Sequence, residues 1–250
     1  VNTEFLNSQV IGVFALDSTL RTDFLKLLAG INRNQGTCFY RQRDIFDNEE
    51  YFNSRIYLDY AHIYLSTLRT ANIEKSLKTR YNLSFNKEIF VKIAKELNVR
   101  GETEITHIYN FTPAGNTFVN YALTAAVEKP NIIINNPTIG LNQEMDINYL
   151  VNSLSSHKTD GNIILGLNRL KDFRGKLDRI FIFTDCGQTY SIDSAATVFV
   201  SKEDVETDYR LFVSDYYLSL NLFSKDELKR FQKNKIEYKI ISIYDIEDYL

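Results

Sequence analysis

Eight residues, Ala15-Leu16-Asp17-Ser18-Thr19-Leu20-Arg21-Thr22, stand where a phosphate-binding loop would do its chemistry. They follow an apolar, β-branched run, Gln9 to Ala15 (QVIGVFA), and lead into a helical pattern, Arg21 to Gly30 (RTDFLKLLAG). A strand–loop–helix of this kind holds phosphate with successive backbone N–H groups, a lysine on the terminal phosphates and a hydroxyl on magnesium. Thr22 offers the hydroxyl and Arg21 a cation. The loop has no glycine, however, and Leu20 places a side chain where backbone must approach phosphate. Asp17 and Asp23 add two carboxylates that would repel a triphosphate. Arg21 therefore has two readings: a phosphate contact, or a solvated or salt-bridged residue at a helix start, paired with Asp17 or Asp23.

The elements that must position these residues are legible in outline. The opening reads as strand, eight-residue loop and helix, with Asp17-Ser18-Thr19 offering capping groups and Gly30 ending the helix. Short strands are expected at Cys38–Tyr40 and Arg55–Leu58, and two helices within 65–97, LRTANIEKSLKTRY and NKEIFVKIAKELN. A turn at 110–116 (NFTPAGN) leads to an apolar helix from Thr117 to Val127, stopped by Pro130. Buried strands follow at Asn131–Ile134, Asn162–Gly166 and Arg179–Thr184, with a helix over 143–155 capped by Asn142. Strands without polar alternation, separated by helices, imply a mainly parallel sheet covered on both faces. Near the end, an aromatic-rich stretch (Phe212 to Phe223) precedes a Ser224/Glu227 capping box, a short helix (DELKRFQKN) and a strand at Lys239–Ile243. Tyr209, Tyr216 and Tyr217 fit a partner surface or a core equally, since both are rich in aromatics.

Composition narrows the class. The chain has 250 residues, 44% hydrophobic and 24% charged, which is ordinary for a globular protein of one large or two small domains. A net charge of -3 argues against a nucleic-acid binder. No apolar run is long enough to span a bilayer. Cys38 and Cys186 are far apart, and His62, His107 and His157 share no spacing, so no metal site and no disulfide framework are expected. The start, Val1-Asn2-Thr3-Glu4-Phe5, has neither methionine nor a signal segment and reads as a fragment or processed form.

The runs VIGVF and FLKLLAG around the loop resemble the nucleotide-binding subunit of ABC transporters, and the resemblance continues in order over about residues 1–190. PAGNTFVNYALTAAVEKPNIIINNPTIGLNQE resembles that family's run from signature motif through Walker B to D-loop. NIILGLNRLKDFRGKLDRIFIF resembles its switch-histidine segment and following strand. The resemblance implies a P-loop NTPase-like α/β fold of ABC type over 1–200, lacking the first strand and the adenine-stacking aromatic. It implies a helical lobe at about 59–116 and leaves 201–250 as a small C-terminal appendage.

Carried over position by position, the family's chemistry is largely missing. Ala15, Ser18 and Leu20 stand at Walker A glycine positions, Arg21 at the lysine, and Thr22 keeps the magnesium hydroxyl. Tyr60 stands at the Q-loop glutamine. Ala114 replaces the signature serine, with Gly115 kept and Asn116 at the next glycine. Asn135-Asn136 replaces the Walker B carboxylates; an amide is no general base and brings no charge to a metal. Asn142 stands at the D-loop aspartate and Asn168 at the switch histidine. Asn135 and Asn136 are thus either a residual nucleotide contact or a hydrogen-bonded strand end.

The expectation is a pseudo-ATPase without catalytic residues, cofactor or metal. Its degenerate site positions are Ser18, Arg21, Thr22, Asn135, Asn136 and Asn168. The resemblance implies a non-catalytic subunit at the inner face of the cell membrane, cytoplasmic and peripheral. It would dock on a membrane permease through a groove near Tyr60, and pair with itself or with an active ABC ATPase. With the composition, it suggests bacterial peptide or bacteriocin export or immunity. The competing reading is a soluble regulatory or binding module on a dead P-loop fold. A working ATPase using Arg21 would have to bear the loss of groups that each contribute orders of magnitude in rate.

Overall fold

The computed structural model describes residues 4–6, 8–33, 37–62, 84–96, 112–156, 160–183, 189–201, 210–213, 216–219, 232–235 and 237–249, with positions 75, 78 and 229. The apolar runs become adjacent strands. β1 (Val10–Ala15), β4 (Arg55–Asp59), β5 (Asn131–Asn135), β6 (Ile163–Leu167) and β7 (Arg179–Phe183) are parallel. β8 (Thr189–Asp193) closes one edge antiparallel, and the order is β4-β5-β6-β1-β7-β8. Expected strands at 10–15, 131–135 and 162–167 lie side by side, as the mainly parallel α/β class requires.

Alternation along each strand builds the two faces. Ile11, Val13 and Ala15 of β1, with Ile133, Ile164 and Phe181, pack against Leu25 and Leu28 of α1 (Ser18–Leu28). Phe14, Ile132, Ile134 and Leu165 join the opposite layer. That layer contains α4 (Pro113–Val127) and α5 (Glu144–Ser156), with Ala122, Ala126, Leu150 and Leu154. α4 is buried at every position from Thr117 to Val127, which accounts for a helix apolar all round.

Several boundaries differ from expectation. The eight-residue loop after β1 is only Leu16 and Asp17; the helix begins at Ser18, because the Asp17 carboxylate caps it by accepting from the Thr19 N–H at 2.7 Å. α4 begins at Pro113, four residues ahead of Thr117. Thr112 Oγ1 accepts from the Gly115 N–H, and proline suits the first helical position. α5 begins at Glu144, one residue late. Between α1 and β4 lie a hairpin, β2 (Phe39–Tyr40) with β3 (Arg43–Asp44), and α2 (Glu49–Ser54). Of the expected helical lobe, the structure describes α3 (Lys87–Glu96), which packs on α4. The pattern LRTANIEKSLKTRY lies outside the described residues except for Lys75 and Lys78.

The C-terminal part forms an antiparallel sheet in the order β10-β11-β9-β12: β9 (Thr197–Ser201), β10 (Arg210–Val213), β11 (Tyr216–Ser219) and β12 (Tyr238–Ser242). The expected division at residue 200 therefore falls within β9, an inner strand of this sheet. Tyr216 and Tyr217 lie on β11, while Tyr209, Ser224, Glu227 and most of DELKRFQKN lie outside the described residues. After β12, the turn Ile243–Asp248 packs Ile243 and Ile246 into the main core. Glu247 accepts from the Leu170 N–H at 2.7 Å, and Asp245 and Asp248 pair with Arg174 and Lys171.

Candidate functional site

The carboxyl ends of β1, β4, β5 and β6 meet at one edge of the sheet, where open α/β folds place their ligands. Here that edge is occupied by Arg21. Beginning the helix at Ser18 puts Arg21 in the first turn, only 2% exposed. Its three nitrogens are all directed. Nε donates to Asn135 Oδ1 at 3.1 Å, Nη1 to the Leu167 carbonyl at 2.7 Å, and Nη2 to Asn136 Oδ1 at 2.8 Å.

The two asparagines pass the interaction on to a carboxylate. Asn135 Nδ2 donates to Asp59 Oδ2 at 2.9 Å and Asn136 Nδ2 to Asp59 Oδ1 at 2.8 Å. Each amide thus turns its carbonyl to the cation and its NH2 to the anion, which neither a carboxylate nor an apolar side chain can do. Burial lowers the Arg21 pKa from its ordinary value, and Asp59 opposes that shift. The guanidinium remains protonated in any case.

Thr22 is committed too. Its Oγ1 donates to the Ser18 carbonyl at 2.7 Å and accepts from Asn135 Nδ2 at 3.0 Å. Strand pairing sets the geometry: Asp59 is opposite Asn135 on β4–β5, and Asn135 opposite Gly166 on β5–β6. Gly166 is needed for the close approach, since a Cβ there would stand 2.5 Å from both Asn135 Oδ1 and Leu25 Cδ1. Asn136 takes a φ of 54°, a left-handed conformation that asparagine tolerates and that turns its amide back over the site.

The expected site residues are therefore only partly brought together. Arg21, Thr22, Asn135 and Asn136 form one network, with both asparagines hydrogen-bonded at the end of β5. The expected pairing of Arg21 with Asp17 or Asp23 does not. Asp17 is taken up by the helix cap, which lowers its pKa, and Arg21 points inward, not to solvent. The Ser18 and Asn168 side chains are exposed, with Asn168 just beyond the carbonyl that Arg21 holds. The residue that sequence reading missed is Asp59, 6% exposed, whose carboxylate accepts from both amides. Its signal was its place immediately after the run Arg55–Leu58.

Tyr60, near which a docking groove is expected, is a core residue. It is 3% exposed, its hydroxyl shares a hydrogen bond with Thr124 Oγ1 at 2.9 Å, and burial pushes its pKa up. Its side chain belongs to the core, and residues 63–74, which follow it in the expected docking region, lie outside the described residues. At the positions aligned with signature and D-loop, the first turns of α4 and the loop after β5 are held together. Thr117 Oγ1 donates to the Ile139 carbonyl, and a Cβ on Gly140, at φ 76°, would lie 2.9 Å from Pro113. Ala114 is half-buried and Asn142 exposed. Among the described residues no group of three or more His, Cys, Asp or Glu could hold a metal ion. No described helix is long and apolar enough to cross a membrane.

No family model and no curated protein matches the sequence. Solved structures do match the fold. A candidate cobalt transport ATP-binding protein (cbiO-2) superposes with a TM-score of 0.63 at 12% identity, over 88% of this chain and 84% of that one. A dimeric ATP-binding cassette in a post-hydrolysis state, bound to ADP and Pi, gives 0.62 at 15% identity, over 77% and 88%. The cbiO1 subunit of Clostridium perfringens, part of the ABC transporter complex cbiONQ, gives 0.53 at 13%, over 73% and 76%. At these identities the likeness is one of fold: this chain has the fold of an ABC transporter ATP-binding subunit.

Proposed function

We propose that the chain is a non-catalytic, pseudo-ATPase subunit of an ABC-type assembly, held at the cytoplasmic face of a membrane by a permease partner. The observation that carries this reading is the buried Arg21 guanidinium, bonded to Leu167, Asn135 and Asn136 at the edge of the sheet where phosphate would lie. A phosphate site needs unpaired backbone donors and a cation turned outward. In this chain the Thr19 N–H is taken by Asp17, the cation by the two amides, and the Thr22 hydroxyl by Ser18 and Asn135. Restoring Asn136 to glutamate would leave the two-residue loop unchanged and is expected to create no turnover.

The partner side of the proposal rests on fold. A neighbour of the same fold belongs to a transporter complex, and another was solved as a dimer. A permease contact and a pairing with a second copy or with an active ATPase are the assemblies this fold supports. Export or immunity for a bacterial peptide is a narrower reading resting on sequence resemblance and composition. Purification from native-host membranes with identification of bound partners tests it. Recovery of a permease in a fixed ratio supports the proposal. Release into the soluble fraction without high-salt or alkaline washing contradicts it and favours a free-standing regulatory module.

A further inference from the structure

At the opposite end of the sheet a second arginine lacks what Arg21 has. Arg55 opens β4 and is half-buried, with its guanidinium 4.8 Å from the centre of the Phe52 ring and 5.8 Å from that of Tyr51. Its Nε is buried and unbonded, and among the described residues no carboxylate pairs with it. Burial lowers its pKa from the ordinary arginine value. The ring faces and the nearby C-terminal end of α1 offset part of the cost of burying this charge, but they do not neutralise it. The other arginines of the 31–55 stretch that lie on aromatic rings are already paired: Arg33 with Asp44 at 2.7 Å, and Arg41 with Glu50.

Apolar side chains stand at this end beside the cation. Phe52 is 39% exposed and lies 3.4 Å from the position a Cβ on Gly30 would take. Arg55 Nη2 lies 3.7 Å from the same position. Ile31, next in the chain, is 54% exposed. A second cation, Lys129, stands at the same end, its Nζ donating to the Asn53 carbonyl at 2.7 Å. Arginine and aromatic side chains are what protein interfaces favour.

We infer that the surface of Ile31, Phe52 and Arg55 receives a partner protein segment presenting a carboxylate flanked by apolar side chains. The unpaired guanidinium selects the acid, and the ring and isoleucine select its apolar flanks. A nucleic acid or bare phosphate would leave the apolar flanks of Phe52 and Ile31 exposed. The surface lies away from the Arg21 network, so this inference stands or fails independently of the pseudo-ATPase reading.

The probes are two labelled amphipathic helical peptides with the same leucine face, one carrying glutamates and the other lysines, titrated by fluorescence anisotropy. The glutamate peptide is expected to bind at least about tenfold more tightly. Ile31→Glu, at an exposed position, supplies a carboxylate in cis and is expected to abolish that preference, as is Arg55→Gln. Met145→Glu, on the exposed face of α5, should leave it intact. Should Arg55→Gln fail to fold, Ile31→Glu against Met145→Glu still decides. Equal binding of the two peptides, or a preference that survives Ile31→Glu, overturns the inference.

Discussion

Arg21 and Arg55 stand at opposite ends of one parallel sheet and have opposite surroundings. Arg21 is enclosed, its nitrogens bonded to a carbonyl and two amides, with Asp59 behind them. Arg55 is half-exposed on two aromatic rings, with no carboxylate beside it among the described residues. A buried charge is tolerated where polar groups replace the water it lost. The difference marks one end of the sheet as internally completed and the other as open to a partner.

The largest effect is expected from Arg21→Ala. It leaves Asp59 and two amides buried without their cation and should cost about 3–5 kcal/mol, read by chemical denaturation. Arg21→Lys should recover only part of this, because one ammonium cannot reproduce the directed fork. Should Arg21→Ala instead be neutral, the enclosed and open arginines would be energetically alike and the contrast would disappear.

Gly166→Ala sharpens the same end. The added methyl meets Asn135 and Leu25 at 2.5 Å, so a loss of about 1–3 kcal/mol is expected from overpacking. Thr112→Ala removes the cap of α4 and should cost about 1 kcal/mol in the same unfolding assay, without touching either arginine. The smallest effect is expected from Arg55→Gln: a change of about 1 kcal/mol or less in either sign, since it gives up ring contacts and no ion pair. A loss as large as that of Arg21→Ala would show that Arg55 is structurally completed after all.

The sheet was legible in the sequence because VIGVFA, NIIIN and IILGL are unbroken apolar runs, and such runs have few alternatives once helices separate them. The candidate site was legible only in part. Asn135 and Asn136 stood out because carboxylates were expected there, but their purpose needed Asp59, and a single acid after a strand carries no pattern. Only the β4–β5 register brings Asp59 opposite Asn135. Arg21 was misplaced for a related reason. An eight-residue loop would turn it toward solvent, whereas the Asp17 cap starts the helix early and turns it inward. Asp17 was visible as a cap, yet how far the helix would extend back over the loop depended on the acceptors waiting at the ends of β5 and β6. The open end was not legible, since the lack of a carboxylate beside Arg55 among the described residues shows only once β4, α2 and the end of α1 are placed together in space.

Calorimetric titration with Mg–ATP, beside thermal unfolding in its presence, tests the closed end most directly. With Arg21 holding the ends of β5 and β6 and no loop to cradle phosphate, the expected result is no heat of binding and an unchanged melting temperature at millimolar nucleotide. Saturable binding that raises the melting temperature by several degrees, as a ligand far above its dissociation constant must, and that disappears in Arg21→Ala, would contradict it.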